Sequence, residues 1–368
     1  MSAAETPSAD PMDLAVRAAL RGVRGANPLV GAVLTAPDGA VLAVGHHRGR
    51  GTAHAEVDAI ARWEAARAAG PGLAALDTAA FDPADLTLHV TLEPCDHTGT
   101  TGPCSEAVLR AGFGALRYAV ADPTGDDGGG AARLSRHGVR VEGPTGEAAA
   151  VALTARWRAA RAAGRPWVTA HLAQSLDGNA AAADGTSRWI TGEASRHHAH
   201  EVRARVDAIV VGTGTVLADD PRLTARAADG AAAARQPVPV VQGRRRIPAD
   251  AVLLHAAHPV VLQTGERDPH DVLAAIAAHP GPWPHGRRAE HVLVEGGPHV
   301  LGAWFSAGLV DEVMAYTAPL LLGAGLPAVA GLDVGTLADG IRLVPDPAEG
   351  GPVKALGEDV WTHLMPAP

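Results

Sequence analysis

The feature that most narrows what this chain can fold into is the placing of its two cysteines. Cys95 follows Pro94 behind a strand-like run, and Cys104 opens a helix-like run nine positions later. Upstream, His54-Ala55-Glu56 stands at the start of a third periodic stretch. One imidazole and two thiolates form the three-ligand set with which a catalytic Zn²⁺ keeps a fourth position open. Glu56, two residues beyond the histidine, is then a non-ligand carboxylate beside that position. His-x-Glu alone is a weak signal, and buried free cysteines are common. The combination is the improbable part. Its rival is a structural zinc closed by a fourth protein ligand, for which His97 is the candidate.

The elements around these residues follow from periodicity and breakers. We expect a helix over 13–22, strands over 29–35 and 40–45 joined by Pro37-Asp38-Gly39, and a helix over 55–69. A strand over 86–92 leads into the Pro94-Cys95 turn, and a helix runs from Cys104 to near Gly112. Strands over 115–120 and 139–142 flank a helix over 131–137. His54 and Glu56 thus stand on a first helical turn, where the helix dipole favours an ionised carboxylate. Alternating strands and helices imply a layered α/β domain with a largely parallel sheet.

A length of 368 residues suggests two domains. We place them at 1–147 and 148–368, with a connecting helix over 148–164. Aromatic residues make up only 3%, so the cores must be built from Ala, Val and Leu. A net charge of −9 argues against a nucleic-acid partner, while leaving room for a small phosphorylated substrate held by a few arginines. Lys354 is the single lysine. With both cysteines placed at a metal, none remains for a disulfide framework, which fits a reducing, cytoplasmic setting. Residues 1–10 carry no basic or apolar leader pattern. The uncharged run 313–332 is long enough to raise a membrane question. Pro319, Pro327, Gly323, Gly325 and Gly331 interrupt it, so it reads as a buried strand and a loop, with no membrane partner.

The second half opens with a strand over 167–172 and a Ser175-Leu176-Asp177-Gly178 turn. A helix over 193–205 precedes a buried strand over 207–211 that runs into Gly212-Thr213-Gly214-Thr215. A strand over 291–294 runs into Glu295-Gly296-Gly297-Pro298 and a helix. Strand, glycines and helix start together make an anion site. Gly212-x-Gly214 lacks the third glycine of a dinucleotide fingerprint, and each glycine pair alone would be a tight turn.

His54-Ala55-Glu56 with Pro94-Cys95 and Cys104 resembles the signature of the zinc nucleobase deaminases, with a longer span between the cysteines. Together with Asn27-Pro28-Leu29-Val30-Gly31, Gly45-x-His47 and Thr91-Leu92-Glu93-Pro94-Cys95, it resembles the deaminase half of the bifunctional riboflavin-biosynthesis deaminase–reductases. Residues 166–323 resemble the reductase half. The resemblance implies an α/β chain with an N-terminal cytidine-deaminase-like three-layer domain and a C-terminal dihydrofolate-reductase-like domain. It implies Zn²⁺ on His54, Cys95 and Cys104, Glu56 as proton carrier, and Asn27, His47 and Asp122 at the pyrimidine substrate. For the second domain it implies NADPH at Ala173, Trp189, Thr215, Asp219, Gly297, Pro298 and Gly302. The substrate would meet Ser187, Arg203, Leu223, Arg226 and Glu295, with Arg203 and Arg226 as a guanidinium fork for a ribose phosphate.

The implied chemistry is deamination of a phosphoribosylated diaminopyrimidine, then NADPH reduction of the ribose to a ribityl chain. The implied assembly is a homo-oligomer, a dimer by family habit. Alternatives are a deaminase with a scaffold-only reductase half and a specialised-pathway pyrimidine deaminase. The copy departs from the family at Thr100, where a basic residue is usual, at His171, where a lysine is usual, and at Gln242-Gly243-Arg244, where Asp-Ser is usual.

Overall fold

The protein is described here from a computed structural model that covers residues 10–69, 80–98, 102–123, 129–258, 260–281, 283 and 288–367. Thr100 and the loop over 124–128 lie outside those residues. The chain divides into two units, Met1–Gly164 with Ala348–Gly350, and Arg165–Pro347 with Gly351–Pro368.

In the first unit, helix α1 (Pro11–Ala19) starts where the Asp10 carboxylate accepts the Met12 amide at 2.8 Å and proline sets the first helical φ. Strands β1 (Gly31–Thr35) and β2 (Val41–His46), helix α2 (Ala55–Ala69) and strand β3 (Thr87–Val90) follow. Then come α3 (Cys104–Ala111), β4 (Ala115–Tyr118), α4 (Gly130–Arg136), β5 (Arg140–Glu142) and α5 (Ala148–Ala162). The sheet order is β2-β1-β3-β4-β5. β1 pairs antiparallel with both β2 and β3, whereas β3–β4 and β4–β5 are parallel. The sheet is therefore mixed rather than largely parallel. A tight turn between β1 and β2 can only return the chain antiparallel, and only the helix crossovers through α3 and α4 restore parallel pairing. All of β1 is buried, against an α1 face of Met12, Ala15, Ala18 and Ala19. Helix α5 is tied down by the Trp157 indole donating to Ala26 O at 2.9 Å and Arg24 donating to Leu153 O at 3.1 Å.

The second unit begins with β6 (Trp167–Ser175), β7 (Asn179–Ala181), α6 (Glu193–Arg205), β8 (Ala208–Gly212), α7 (Thr213–Asp219) and β9 (Val238–Gln242). It continues with α8 (Val252–His255), β10 (Leu262–Gln263), α9 (Pro269–Ala278), β11 (His291–Val294) and α10 (Pro298–Ser306). Strands β12 (Glu312–Ala318), β13 (Leu326–Pro327), β14 (Leu343–Pro345), β15 (Val353–Leu356) and β16 (Asp359–Pro366) complete it. The main sheet runs β10-β9-β8-β11-β6-β12-β16-β14, with β15 on β16. From β10 to β12 every pairing is parallel. Helices cover both faces of such a sheet, which is why β8, β9 and β11 are buried at every position. One face packs Val168, Val210, Val240, Val292 and Trp304, and the other packs Ile209, Val211, Leu293, Met314 and Trp361. The run over 313–332 enters as strand β12 and continues outside any helix, and among the described residues no helix is long and apolar enough to cross a membrane.

Candidate functional site

Three side chains converge in the first unit because three element ends meet. His54 precedes α2 and its carbonyl accepts the Asp58 amide at 2.9 Å, so it stands at the helix cap. Cys95 lies in the turn after β3, and Cys104 is the first residue of α3. His54 Nδ1 is 3.6 Å from Cys95 Sγ and 3.2 Å from Cys104 Sγ. A tetrahedral zinc with bonds of about 2.0 Å to nitrogen and 2.3 Å to sulfur sets ligand atoms roughly 3.5 Å apart, so the donor set and spacing fit that ion. Among the described residues the ligand atoms of His54, Cys95 and Cys104 lie within 4.8 Å of one another, and His97 is not in that group. Among the described residues the group offers three ligands, the number an open catalytic centre uses.

The electrostatics agree. The hydrogen bond to Cys104 takes the Cys95 thiol down to about 4, while the same bond and burial push the Cys104 thiol up. Hydrogen bonding to Cys95 raises His54. A divalent cation bound here would take both sulfurs as thiolates and the imidazole as neutral, displacing the protons that His54 and Cys104 hold without it. Glu56 is only 3% exposed, and burial pushes its carboxyl up. A carboxyl so placed can hold a proton and give it up again.

Asn27 and His47 also reach this site. Asn27 Nδ2 is 2.9 Å from His47 Nε2, and the His47 ring stands edge-on to His54 with centroids 5.2 Å apart. Burial holds the His47 imidazole down at about 4. A neutral ring can donate from Nδ1 to Ala53 O at 3.0 Å while accepting from Asn27. Asp122 is positioned by its backbone, its amide donating to Glu93 Oε2 at 3.3 Å.

Glu93 went unassigned in the sequence, and it organises the turn. Its carboxylate also accepts the Gly129 and Ala131 amides at 3.3 and 3.4 Å, tying the start of α4 to the metal loop. Asp96 was missed as well: it accepts from Ser105 Oγ at 2.5 Å and Arg133 at 2.9 Å, which fixes the first turn of α3. The only sequence signal for either was its place inside the metal motif.

In the second unit a cleft of about 1510 Å³ opens at the carboxyl ends of the parallel strands. That exceeds the roughly 300–1,000 Å³ of a single-ligand pocket and leaves room for two. Ala173, Ser187, Trp189, Thr215, Asp219, Leu223, Arg226, Gly297, Pro298, Arg203 and Glu295 all line it. Gly302 does not; a Cβ there would run into Ala330 O, so that glycine serves the packing of α10. Thr215 Oγ1 accepts the Gly297 amide at 3.1 Å, joining the two glycine turns after β8 and β11. Ser187 Oγ donates to Asp219 at 3.4 Å. Trp189 is 70% exposed, with the Arg196 guanidinium 4.6 Å above its ring.

Arg203 does not present a free fork. Its Nε and Nη2 pair with both Glu295 oxygens at 2.8 and 2.5 Å, and Nη1 donates to Thr224 O at 3.2 Å. Burial works against ionising Glu295, but the Arg203 guanidinium outweighs it and holds the carboxyl at about 2. The expected pairing of Arg203 with Arg226 therefore gives way to an internal ion pair, and exposed Arg226 alone keeps its charge for a ligand. His171 lies in the cleft 4.8 Å from the Tyr316 ring, whose hydroxyl bonds His198 Nδ1 at 2.7 Å. Burial lowers His171, so this position is neutral where a lysine would be charged.

Comparison with known proteins gives two family matches. Residues 7–120 match the cytidine and deoxycytidylate deaminase zinc-binding region, and residues 166–339 match the RibD C-terminal domain. The chain is 45% identical over 249 residues to the riboflavin biosynthesis protein RibD of Mycobacterium tuberculosis, covering 67% of this chain and 69% of that one. It is 42% identical over 229 residues to the protein of the same name from Corynebacterium ammoniagenes, covering 62% and 63%. Among solved structures, Acinetobacter baumannii RibD superposes with a TM-score of 0.68 at 30% identity, covering 97% of this chain and 98% of that one. A Thermotoga maritima diaminohydroxyphosphoribosylaminopyrimidine deaminase/5-amino-6-(5-phosphoribosylamino)uracil reductase superposes with a TM-score of 0.66 at 28% identity, covering 97% and 98%.

Proposed function

Because the chain belongs to the RibD family of bifunctional deaminase–reductases, we propose that its two sites carry out consecutive steps of riboflavin biosynthesis on one phosphorylated pyrimidine. In the first, a phosphoribosylated diaminopyrimidine exchanges an exocyclic amine for a carbonyl oxygen, consuming water and releasing ammonia. His54, Cys95 and Cys104 would hold zinc, which would supply Lewis acidity that lowers the pKa of a bound water. Glu56 takes a proton at its buried carboxylate and returns it to the departing amine. His47, kept neutral and oriented by Asn27 and Ala53 O, contacts the pyrimidine together with Asp122. The observation that carries this reading is the three-ligand centre with a buried, non-ligating carboxyl beside it.

In the second site the cleft would hold NADPH, whose chemistry is hydride donation, here to the ribose C1′ of the deaminated product with a solvent proton going to the ring oxygen. The linked glycine turns 212–215 and 295–297 would hold the cofactor's phosphates. Arg226, Ser187 and Leu223 meet the substrate, and the Arg203–Glu295 pair holds that end of the cleft in shape. Proximity of two bound molecules in one cleft is the main catalytic contribution of the protein here.

The protein works as a cytoplasmic homo-oligomer without a nucleic-acid partner. Commitment of both cysteines to the metal and the charge of −9 support the first and last points; light scattering of the purified chain tests the assembly. The decisive experiment follows ammonia and NADPH in one cuvette. E56Q should keep its zinc, lose ammonia release by about 10²–10⁴-fold, and still oxidise NADPH when given deaminated substrate. Joint loss of both activities in E56Q would overturn the two-site reading.

A further inference from the structure

Two carboxylates bracket Cys95 in the metal turn, Glu93 on one side and Asp96 on the other. Neither belongs to the ligand set, yet each reaches helix α4, which carries no ligand either. Glu93 binds with both its backbone and its side chain. Its amide donates to Val120 O at 2.8 Å, which carries the parallel pairing of β3 and β4 past the strand ends. Its carboxylate accepts the Asp122 amide on Oε2 at 3.3 Å and the Gly129 and Ala131 amides on Oε1 at 3.3 and 3.4 Å. A carboxylate offers two oxygens with about four lone pairs, so one side chain can take all of these donors. Bonds to an ionised acceptor are also the stronger kind. One carboxylate thus fixes both where Asp122 leaves the sheet and where α4 begins. Pro123 restricts Asp122 to extended backbone. Fixing the Asp122 amide therefore fixes the direction of its Cα–Cβ bond as well.

Asp96 holds the other side of the turn. It accepts from Ser105 Oγ at 2.5 Å and from Arg133 Nη1 at 2.9 Å, tying α3, whose first residue is Cys104, to α4. Between the two carboxylates the backbones touch. A Cβ on Gly130 would stand 2.0 Å from Pro94 O and 3.4 Å from Cys95 O, so only glycine lets α4 start against the metal turn. The two acids therefore do different work. Losing the Asp96 carboxylate frees Ser105 in the helical turn that presents Cys104 Sγ. Losing the Glu93 carboxylate leaves the Arg133 pair, the Gly130 contact and both sulfurs in place, and releases the backbone of Asp122 and the first amides of α4.

We infer that Glu93 is the positioning residue for Asp122 in the deaminase site, setting how tightly the pyrimidine is held while touching neither the metal nor the reacting atoms. The inference rests on the deaminase reading and on Asp122 as a substrate contact, and it adds the residue that aims that contact.

The test is steady-state ammonia release by the full-length, zinc-loaded protein from the phosphoribosylated diaminopyrimidine. It compares E93Q, E93D, D122N, E93Q/D122N and D96A with wild type. Glutamine keeps one acceptor but turns an NH₂ group toward an amide donor, so E93Q loses one side of the clamp. It should raise KM about tenfold or more, hold kcat within about twofold and retain its zinc by metal analysis. E93D, with the charge kept on a shorter stem, should raise KM less. Because Glu93 acts through Asp122, the double variant should be no worse than D122N alone. D96A should instead lose zinc on dialysis. Unchanged NADPH oxidation with deaminated substrate, together with melts matching wild type, would establish that the variants are folded. Zinc loss in E93Q, a fall in kcat at unchanged KM, KM effects of E93Q and D122N that multiply, or a D122N chain with wild-type KM would each overturn the assignment. A zinc-loaded wild-type chain that releases no ammonia would instead overturn the deaminase reading itself.

Discussion

The metal centre and the reductase cleft solve the same problem, holding a reacting group beside a small phosphorylated molecule, in opposite ways. The metal centre concentrates its chemistry in four side chains drawn from three element ends in one stretch of the chain. The cleft spreads its chemistry over the ends of five strands, from His171 to Glu295. Metal ligation needs particular atoms at fixed separations, so few residue types serve and their spacing is constrained. A dinucleotide cleft needs shape, backbone amides and positive charge, which many residue combinations supply. The first kind of site fails all at once when one atom is removed, and the second degrades by degrees.

The largest expected effect follows directly. C104A should bind no zinc by metal analysis and release no detectable ammonia, while NADPH oxidation with deaminated substrate persists; residual deamination in metal-free protein would refute the three-ligand centre. Next comes E295Q, which leaves the Arg203 guanidinium unpaired at 19% side-chain exposure. Breaking a buried pair of this kind costs about 3 kcal/mol, and calorimetry should show it as a lowered melt of the second unit. The pH dependence has a definite sign. The Glu295 carboxyl is held at about 2 when folded, against about 4.3 unfolded. Its contribution is complete above the unfolded value and is lost as pH falls toward the folded one. The stability gap between wild type and E295Q should stay level from pH 7 to about 5 and close below about 4. A gap that instead closes between pH 6 and 8 would implicate a histidine rather than Glu295. The smallest effect belongs to N27A, which removes one hydrogen bond from His47. About 1 kcal/mol, or roughly fivefold in deaminase kcat/KM, is expected, with reductase kinetics untouched; a hundredfold loss would mean that Asn27 meets the reacting atoms themselves.

Legibility followed the same divide. The helices Ala55–Ala69 and Glu193–Arg205 and the strand His291–Val294 have the bounds that periodicity and flanking glycines suggest. Those signals are local, and local propensity was not overridden there. The direction of strand pairing was not local: the mixed sheet of the first unit depends on how a tight hairpin returns, which period-two patterning leaves open. Glu93 looked like any polar residue in a turn until its carboxylate met three backbone amides from a segment 29 to 38 positions away. Arg203 looked like a phosphate fork because its partner Glu295 is 92 positions distant.

What the chain's order of residues determined by itself was the donor set it offers a metal: one imidazole, two sulfurs and a carboxylate two residues from the imidazole. It also determined that the positive charge is carried almost wholly by guanidinium. What only the tertiary structure decided was which charges remain free. Arg203 and Arg245 are alike in sequence, yet one is neutralised by a buried carboxylate and the other faces an open cleft. Ligand identity is a property of atoms and is written residue by residue. Whether a charge is spent inside the protein or left for a ligand depends on what folds against it, and the strength of that pairing is set by burial, which no single residue carries.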